Sequence, residues 1–255
     1  MEYKIAAHTD RGIRNCKNQD GVLLKVAHTE YGKLVFGAVC DGMGGLEMGE
    51  LASATMIRML SEWFDIKLPE ILYRGIHPEN LKESWNCLIA GTNNRLHAYG
   101  KKKGFQMGTT MVGILLTGKT YYICNVGDSR VYRIREQVEL LTKDQTFIQR
   151  EIDCGRMTYE QAEADVRKNI LLQCIGASEV VKPDYYTGTL EQGTTFLLCS
   201  DGFRHMVQKE EMLHHLAPYK LKKESAMKRK LLYLTELNKS RMETDNISSA
   251  LILVE

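Results

Sequence analysis

Short runs rich in apolar and β-branched residues, separated by turn-forming segments, open the chain at residues 3–7, 21–27 and 33–40 and predict strands, with Glu30, Tyr31 and Gly32 placed as a hairpin turn. The period then lengthens. From residue 49 to 64, Leu51, Met56, Met59, Leu60, Trp63 and Phe64 fall at helical spacing, and after Pro78 so do Leu81, Trp85, Leu88, Ile89, Leu96 and Tyr99. Two amphipathic helices are therefore expected, with Trp63 and Trp85 in their cores and Lys101, Lys102 and Lys103 as a polar connection beyond the second. Strand patterns resume at 109–117, 120–126 and 130–134, and the tight turn Thr117-Gly118-Lys119 joins the first two. Between Asp144 and Asn169 the chain becomes polar and charged, with Gly155 as a break and Thr158, Glu160 and Gln161 spaced like a helix start. This predicts a small helical excursion. A strand at 194–200, helices at 209–216 and 223–237, and a closing strand at 247–254 complete the pattern. Strands interrupted by paired helices indicate a layered α+β domain rather than a parallel βαβ sheet.

Composition adds exclusions. Hydrophobic residues make up 44% of the 255, enough to build a core, and no linker, fixed-period repeat or proline cluster divides the chain. One domain is expected. Lys and Arg number 34 against 32 Asp and Glu, so no overall field selects nucleic acid or membrane as a partner. Lys220, Lys222, Lys223, Lys228, Arg229 and Lys230 form a local basic stretch, whose default reading is a solvated helix face. With no apolar run near 20 residues and no signal-like start, the chain reads as soluble, cytoplasmic and monomeric. The seven cysteines lack any C-x-x-C pair, and their scatter within apolar runs suggests buried thiols rather than disulfides. For Cys199, core packing is preferred to a nucleophilic role because no motif supplies a histidine partner.

Three of the strand-like runs end on an aspartate beside a glycine: Cys40-Asp41-Gly42, Val126-Gly127-Asp128 and Cys199-Ser200-Asp201-Gly202. One such site would be an ordinary turn, since both residues are favoured there. Three, joined by Asp20 and by Asp245 before the last strand, suggest a carboxylate cluster, which would repel itself without a hard cation. Mg²⁺ and Mn²⁺ suit oxygen donors, acidify water and neutralise phosphoryl oxygens, which makes phosphorus the expected electrophile.

Read in order, Thr9-Asp10-Arg11-Gly12 with Asn18-Gln19-Asp20, then Asp41-Gly42-Met43-Gly44-Gly45, Gly108-Thr109-Thr110, Gly127-Asp128-Ser129-Arg130, Leu141-Thr142-Lys143-Asp144, Ser200-Asp201-Gly202 and Asp245-Asn246 resemble the type-2C, metal-dependent Ser/Thr protein phosphatases. The compact bacterial branch, with Met43 where eukaryotic members carry histidine, is the nearer match. The resemblance implies a four-layer αββα sandwich of two antiparallel sheets flanked by helix pairs. It also implies a dinuclear Mn²⁺ or Mg²⁺ centre, with residues 145–169 as a flap beside it. By motif position Asp41 would bridge both ions, the Gly42 carbonyl would complete one, Asp201 and Asp245 would bind the other, and Asp20 would hold coordinated waters. Asp128 and Asn169 match the positions for a third ion. A hydroxide bridging the metals would attack phosphorus directly, and a metal-bound water would serve as the general acid in the absence of histidine at 43.

Three positions depart from the pattern. Asn15 stands where the phosphate-binding arginine is expected, leaving Arg14, which in a strand would point to the opposite face, and Lys17, a point charge rather than a fork. Gln19 replaces glutamate. His205 replaces an aspartate and reads as packing in the first instance. The resulting expectation is a phosphatase acting on phosphoserine and phosphothreonine in proteins and opposing a Ser/Thr kinase. The alternatives are a non-catalytic phosphoprotein-binding member of the same fold and a hydrolase of small phosphate esters.

Overall fold

A computed structural model of the chain describes residues 1–30, 32–43 and 48–255, apart from the side chain of Glu163. Tyr31 of the expected hairpin turn and Gly44 and Gly45 of the D-G-x-G-G motif lie outside the described residues. Among the described residues ten strands, numbered in chain order, form two five-stranded sheets in which every pair is antiparallel. The first has the order β1 (Tyr3–Asp10), β10 (Ile247–Val254), β9 (Thr194–Cys199), β6 (Arg130–Ile134), β7 (Val138–Leu140). The second has the order β2 (Gly21–Thr29), β3 (Gly32–Cys40), β4 (Met111–Thr117), β5 (Thr120–Val126), β8 (Asp184–Thr189).

Strand parity creates the layers. On β3, Leu34, Phe36, Ala38 and Cys40 face the helices α1 (Gly49–Glu62), α2 (Leu68–Tyr73) and α3 (Pro78–Lys103), joining Met56, Leu60, Trp63 and Trp85. The intervening Val35 and Val39 turn to the other sheet and meet Phe196, Leu198 and Ile252. The opposite faces of β9 and β10, through Leu197, Cys199, Leu251 and Leu253, pack on α6 (Asp201–Arg204), α7 (Lys209–Leu216) and α8 (Glu224–Ser240) by way of Phe203, Met212, Leu231 and Leu234. Three apolar interlayers thus hold four layers, the expected αββα sandwich.

Some elements differ from the expectation. The lysines Lys101, Lys102 and Lys103 belong to the last turn of α3, capped by Gly104 in the left-handed region; cations are favourable against the carbonyl end of a helix. The first helix runs on through a π turn, Trp63–Lys67, into α2. Strands β7 and β8 carried no legible pattern, one being three residues long and the other a polar edge. In the excursion, α4 (Phe147–Asp153) and α5 (Tyr159–Ala164) form, and Thr158 and Gln161 make the expected reciprocal cap. All seven cysteines are free; Cys40, Cys124, Cys174 and Cys199 are buried, but Cys16, Cys87 and Cys154 are exposed, because they stand in a loop, on a helix face and at a helix end. Burial pushes the Cys199 thiol up to about 12, which removes it as a nucleophile at neutral pH.

Candidate metal centre

Register brings the acids together. Gly21 pairs with Cys40, so Asp20 and Asp41 flank the same end of the β2–β3 ladder; Cys199 pairs with Ser249, so Asp201 and Asp245 lie just beyond the same end of β9–β10. The loop after β5 adds Asp128. Four further motif residues hold the frame. Thr110 Oγ1 accepts from the Asp41 amide at 3.0 Å, Thr110 N and Thr109 Oγ1 donate to the Asp41 carbonyl at 2.8 and 2.9 Å, and Thr110 and Ser129 share a hydroxyl hydrogen bond of 2.8 Å. Asn246 does the same for the other side: its Oδ1 accepts from Gln19 N at 2.8 Å, and its Nδ2 donates to the carbonyls of Arg11 and Lys17 at 2.9 and 3.2 Å. Sequence matching noted these residues as motif members without showing that they are clamps.

The glycines beside the acids have a different use from the one the sequence suggests. A Cβ on Gly42 would lie 2.4 Å from the carbonyls of Gln19 and Gly49, and one on Gly202 would lie 2.2 Å from that of Asn246. They permit loop against loop, which is what sets Asp41 near Asp20 and Asp201 near Asp245.

The electrostatics divide the cluster in two. Both carboxylate oxygens of Asp20 and Oδ1 of Asp201 are buried without a hydrogen-bond partner. Burial, relieved a little by the nearby hydroxyls of Ser248 and Ser200 and opposed again by Asp201 and Asp245, pushes the Asp20 carboxyl up to about 7. Burial and then repulsion from Asp20, Asp201, Asp128 and Asp245 hold Asp41 well above the carboxylate range, and Asp245, at the exposed rim, is raised by burial of its carboxylate and by Asp201. Such a group of acids is a cation site in waiting. Among the described residues no three of His, Cys, Asp and Glu converge into a ready-made ligand set. Mg²⁺ and Mn²⁺, however, keep several waters and take one or two carboxylates each, so orphaned, mutually repelling carboxylate oxygens are the donor set they require. The residues fit two such ions.

On the other side the chain supplies its own cations. Arg130 grips Asp144 with Nε at 2.8 Å and Nη2 at 2.7 Å, and Arg204 Nη2 reaches Asp128 Oδ2 at 3.4 Å and Asp144 Oδ2 at 3.6 Å. Asp128 is still raised to about 7, by burial and Asp201, with Arg204 opposing. His205 lies between Glu243, at 3.1 Å from Nδ1, and Asp201, at 3.5 Å from Nε2; burial works against its charge, but Glu243 and Asp201 outweigh it and raise its pKa. Glu243 Oε1 also accepts from the amides of Thr244 and Asp245, at 2.7 and 2.9 Å. His205 therefore contacts the cluster rather than only packing. Arg204 and Glu243 were not singled out in the sequence, because neither carries a motif signal. Asp128, Asp144, Arg204 and His205 line a cavity of about 500 Å³ that also reaches Tyr159, Lys168 and the exposed Asn169 of the excursion.

The phosphate candidates sit on an irregular loop between β1 and β2 rather than on a strand, so the face-parity objection to Arg14 falls away. Arg14 is exposed and, among the described residues, has no ion-pair partner, whereas Lys17 is engaged by Glu50 at 2.6 Å. The Gly42 amide bonds to the Gln19 carbonyl at 3.1 Å and the Met43 amide to that of Gly108 at 3.0 Å.

Comparison with known proteins shows the family and the fold. Residues 7–234 match the family model described as protein phosphatase 2C. The chain is 30% identical over 212 residues, 82% of each protein, to the protein phosphatase PhpP of Streptococcus pneumoniae. It superposes over 100% of both chains, at TM-score 0.84 and 28% identity, on a serine/threonine phosphatase of S. agalactiae. It also matches, at TM-score 0.78 and 27% identity over 99% of each chain, the catalytic domain of the serine/threonine phosphatase PstP in complex with two manganese ions.

Proposed function

The chain belongs to the protein phosphatase 2C family of metal-dependent serine/threonine phosphatases, and on that premise we propose how its own residues divide the work. Asp41, with the Gly42 carbonyl, Asp201 and Asp245 would hold two Mn²⁺ or Mg²⁺ ions, and Asp20 would hold their waters. Such ions supply a Lewis acid for phosphoryl oxygens and lower the pKa of water at neutral pH. Asp41 would be the central ligand, because the Thr109–Thr110–Ser129 network fixes its backbone and every other acid of the group repels it. Asp20, buried and unpartnered, would be able to take up a proton at its carboxylate. Arg14 is the better-placed group for the substrate phosphate, since Lys17 is held by Glu50.

The observation that carries this reading is the concentration of uncompensated carboxylate at one end of both sheets, around Asp20, Asp41 and Asp201. The substrates are phosphoserine and phosphothreonine in proteins. Residues 1–255 act as one catalytic domain, with 145–169 as a flap over the cavity between it and the centre. We place its action in the cytoplasm, as a monomer, opposite a Ser/Thr kinase; among the described residues no helix is long and apolar enough to cross a membrane. Phosphate release from a phosphothreonine peptide, with and without Mn²⁺, tests the reading on the parent and on Asp201→Asn. Metal-dependent release abolished by the substitution supports it; metal-independent release, or release only from small esters, overturns it.

A further inference from the structure

We propose that Arg204 is the chain's own substitute for a third cation: its guanidinium neutralises Asp128 and keeps a divalent ion from that side of the cluster, so that the centre takes two ions and removal of the arginine charge opens an Asp128-dependent third site. The inference rests on the dinuclear reading above and limits it.

The charge balance carries it. Asp128 and Asp144 are matched by Arg130 and Arg204, two acids against two permanent cations. The four form one linked group. Arg130 takes both oxygens of Asp144, Arg204 approaches the same carboxylate at 3.6 Å, and Arg204 Nη2 also faces the carbonyl and carboxylate of Asp128, each at 3.4 Å. The side chains of Arg204 and Asp128 are 13% and 11% exposed, so solvent screens the pair little. Across the cluster, both oxygens of Asp20 and one of Asp201 have no partner at all. A cation entering the site meets uncompensated carboxylate on one side and a fixed positive charge on the other, and like charges in a half-buried site exclude one another.

Local structure keeps the arginine in place. Arg204 lies three residues after Asp201 on α6, so both project from one side of the helix toward the sheet ends. Phe203 between them is fully buried and anchors that turn, and its carbonyl accepts from Asn238 at 2.9 Å. Besides the paired Asp128 and Asp144, the oxygen donors lining the cavity are the side chains of Thr146, Gln149, Tyr159 and Asn169, none of them a carboxylate, and too weak to draw a divalent ion past a guanidinium.

Mn²⁺ bound per chain, measured by equilibrium dialysis with the free ion followed by its paramagnetic resonance, tests this on the full chain, with circular dichroism melts to confirm folding. Two ions are expected for the parent, for Arg204→Lys and for Asp128→Asn. One more is expected for Arg204→Gln, lost again in Arg204→Gln combined with Asp128→Asn. An unchanged count in folded Arg204→Gln overturns the proposal. So does a third ion in the parent that Asp128→Asn removes, an outcome that decides the matter even where Arg204→Gln fails to fold. A parent that binds fewer than two ions, with a count that Asp201→Asn leaves unaltered, overturns the dinuclear reading itself, which is a different result.

Discussion

Replacing Asp20 by asparagine should stabilise the metal-free protein at alkaline pH while harming the metal-loaded one. Asp20 buries two oxygens without a partner, and its carboxyl is pushed from an ordinary 3.8 to about 7. The folded state therefore holds the proton more tightly than the unfolded state does. Its contribution is fully present below about pH 4 and is lost as pH rises to about 7, because the unfolded chain gives up the proton first. At about 1.4 kcal/mol per pH unit, the two units between pH 5 and 7 correspond to about 3 kcal/mol, a ceiling because the neighbouring acids share the protons. Asparagine has the same shape and no charge. In urea titrations with a chelator, the parent should lose up to about 3 kcal/mol relative to Asp20→Asn between pH 5 and pH 8, and Mn²⁺ at pH 8 should restore the parent more than the variant. A parent–variant difference that does not move with pH, or that moves in favour of the parent, would refute the reasoning.

Asp41→Asn and Asp201→Asn should each lower Mn²⁺-dependent phosphatase turnover by about 10²-fold or more, measured on a phosphothreonine peptide, while melting temperature without metal holds or rises. Arg14→Ala should raise KM with little change in kcat, and Lys17→Ala should leave both near the parent values; the reverse order would place the phosphate on Lys17. Asn246→Ala removes three clamping hydrogen bonds and should cost about 2–3 kcal/mol in denaturant unfolding, with a loss of Mn²⁺ affinity. Brief alkylation of the folded protein followed by mass spectrometry should label Cys16, Cys87 and Cys154 and spare Cys199.

Much of this protein could be read along the chain. Near-continuous apolar runs at residues 33–40 and 247–254 gave strands buried on both faces, which serve two different interlayers, and helical spacing after Pro78 gave the long α3. The acids Asp20, Asp41, Asp128, Asp201 and Asp245 were legible as a set because each ends or precedes a strand, and strand ends are local features. The three-residue β7 and the polar edge β8 were not legible, since a short or solvent-facing strand owes its existence to its partner and not to its own pattern.

The sequence alone determined which residues could form an acid cluster, because type and spacing are properties of the chain. Only the tertiary structure decided how that cluster is charged. Arg204 is one cation among many until α6 sets it against Asp128, and Glu243 is an ordinary acid until its loop closes on His205. Lys17 looked free until α1 brought Glu50 to it, and Arg14 looked misdirected until the segment after β1 proved to be a loop. Electrostatic compensation depends on distances of a few ångströms between groups far apart in sequence, and those distances are fixed by sheet register and layer packing.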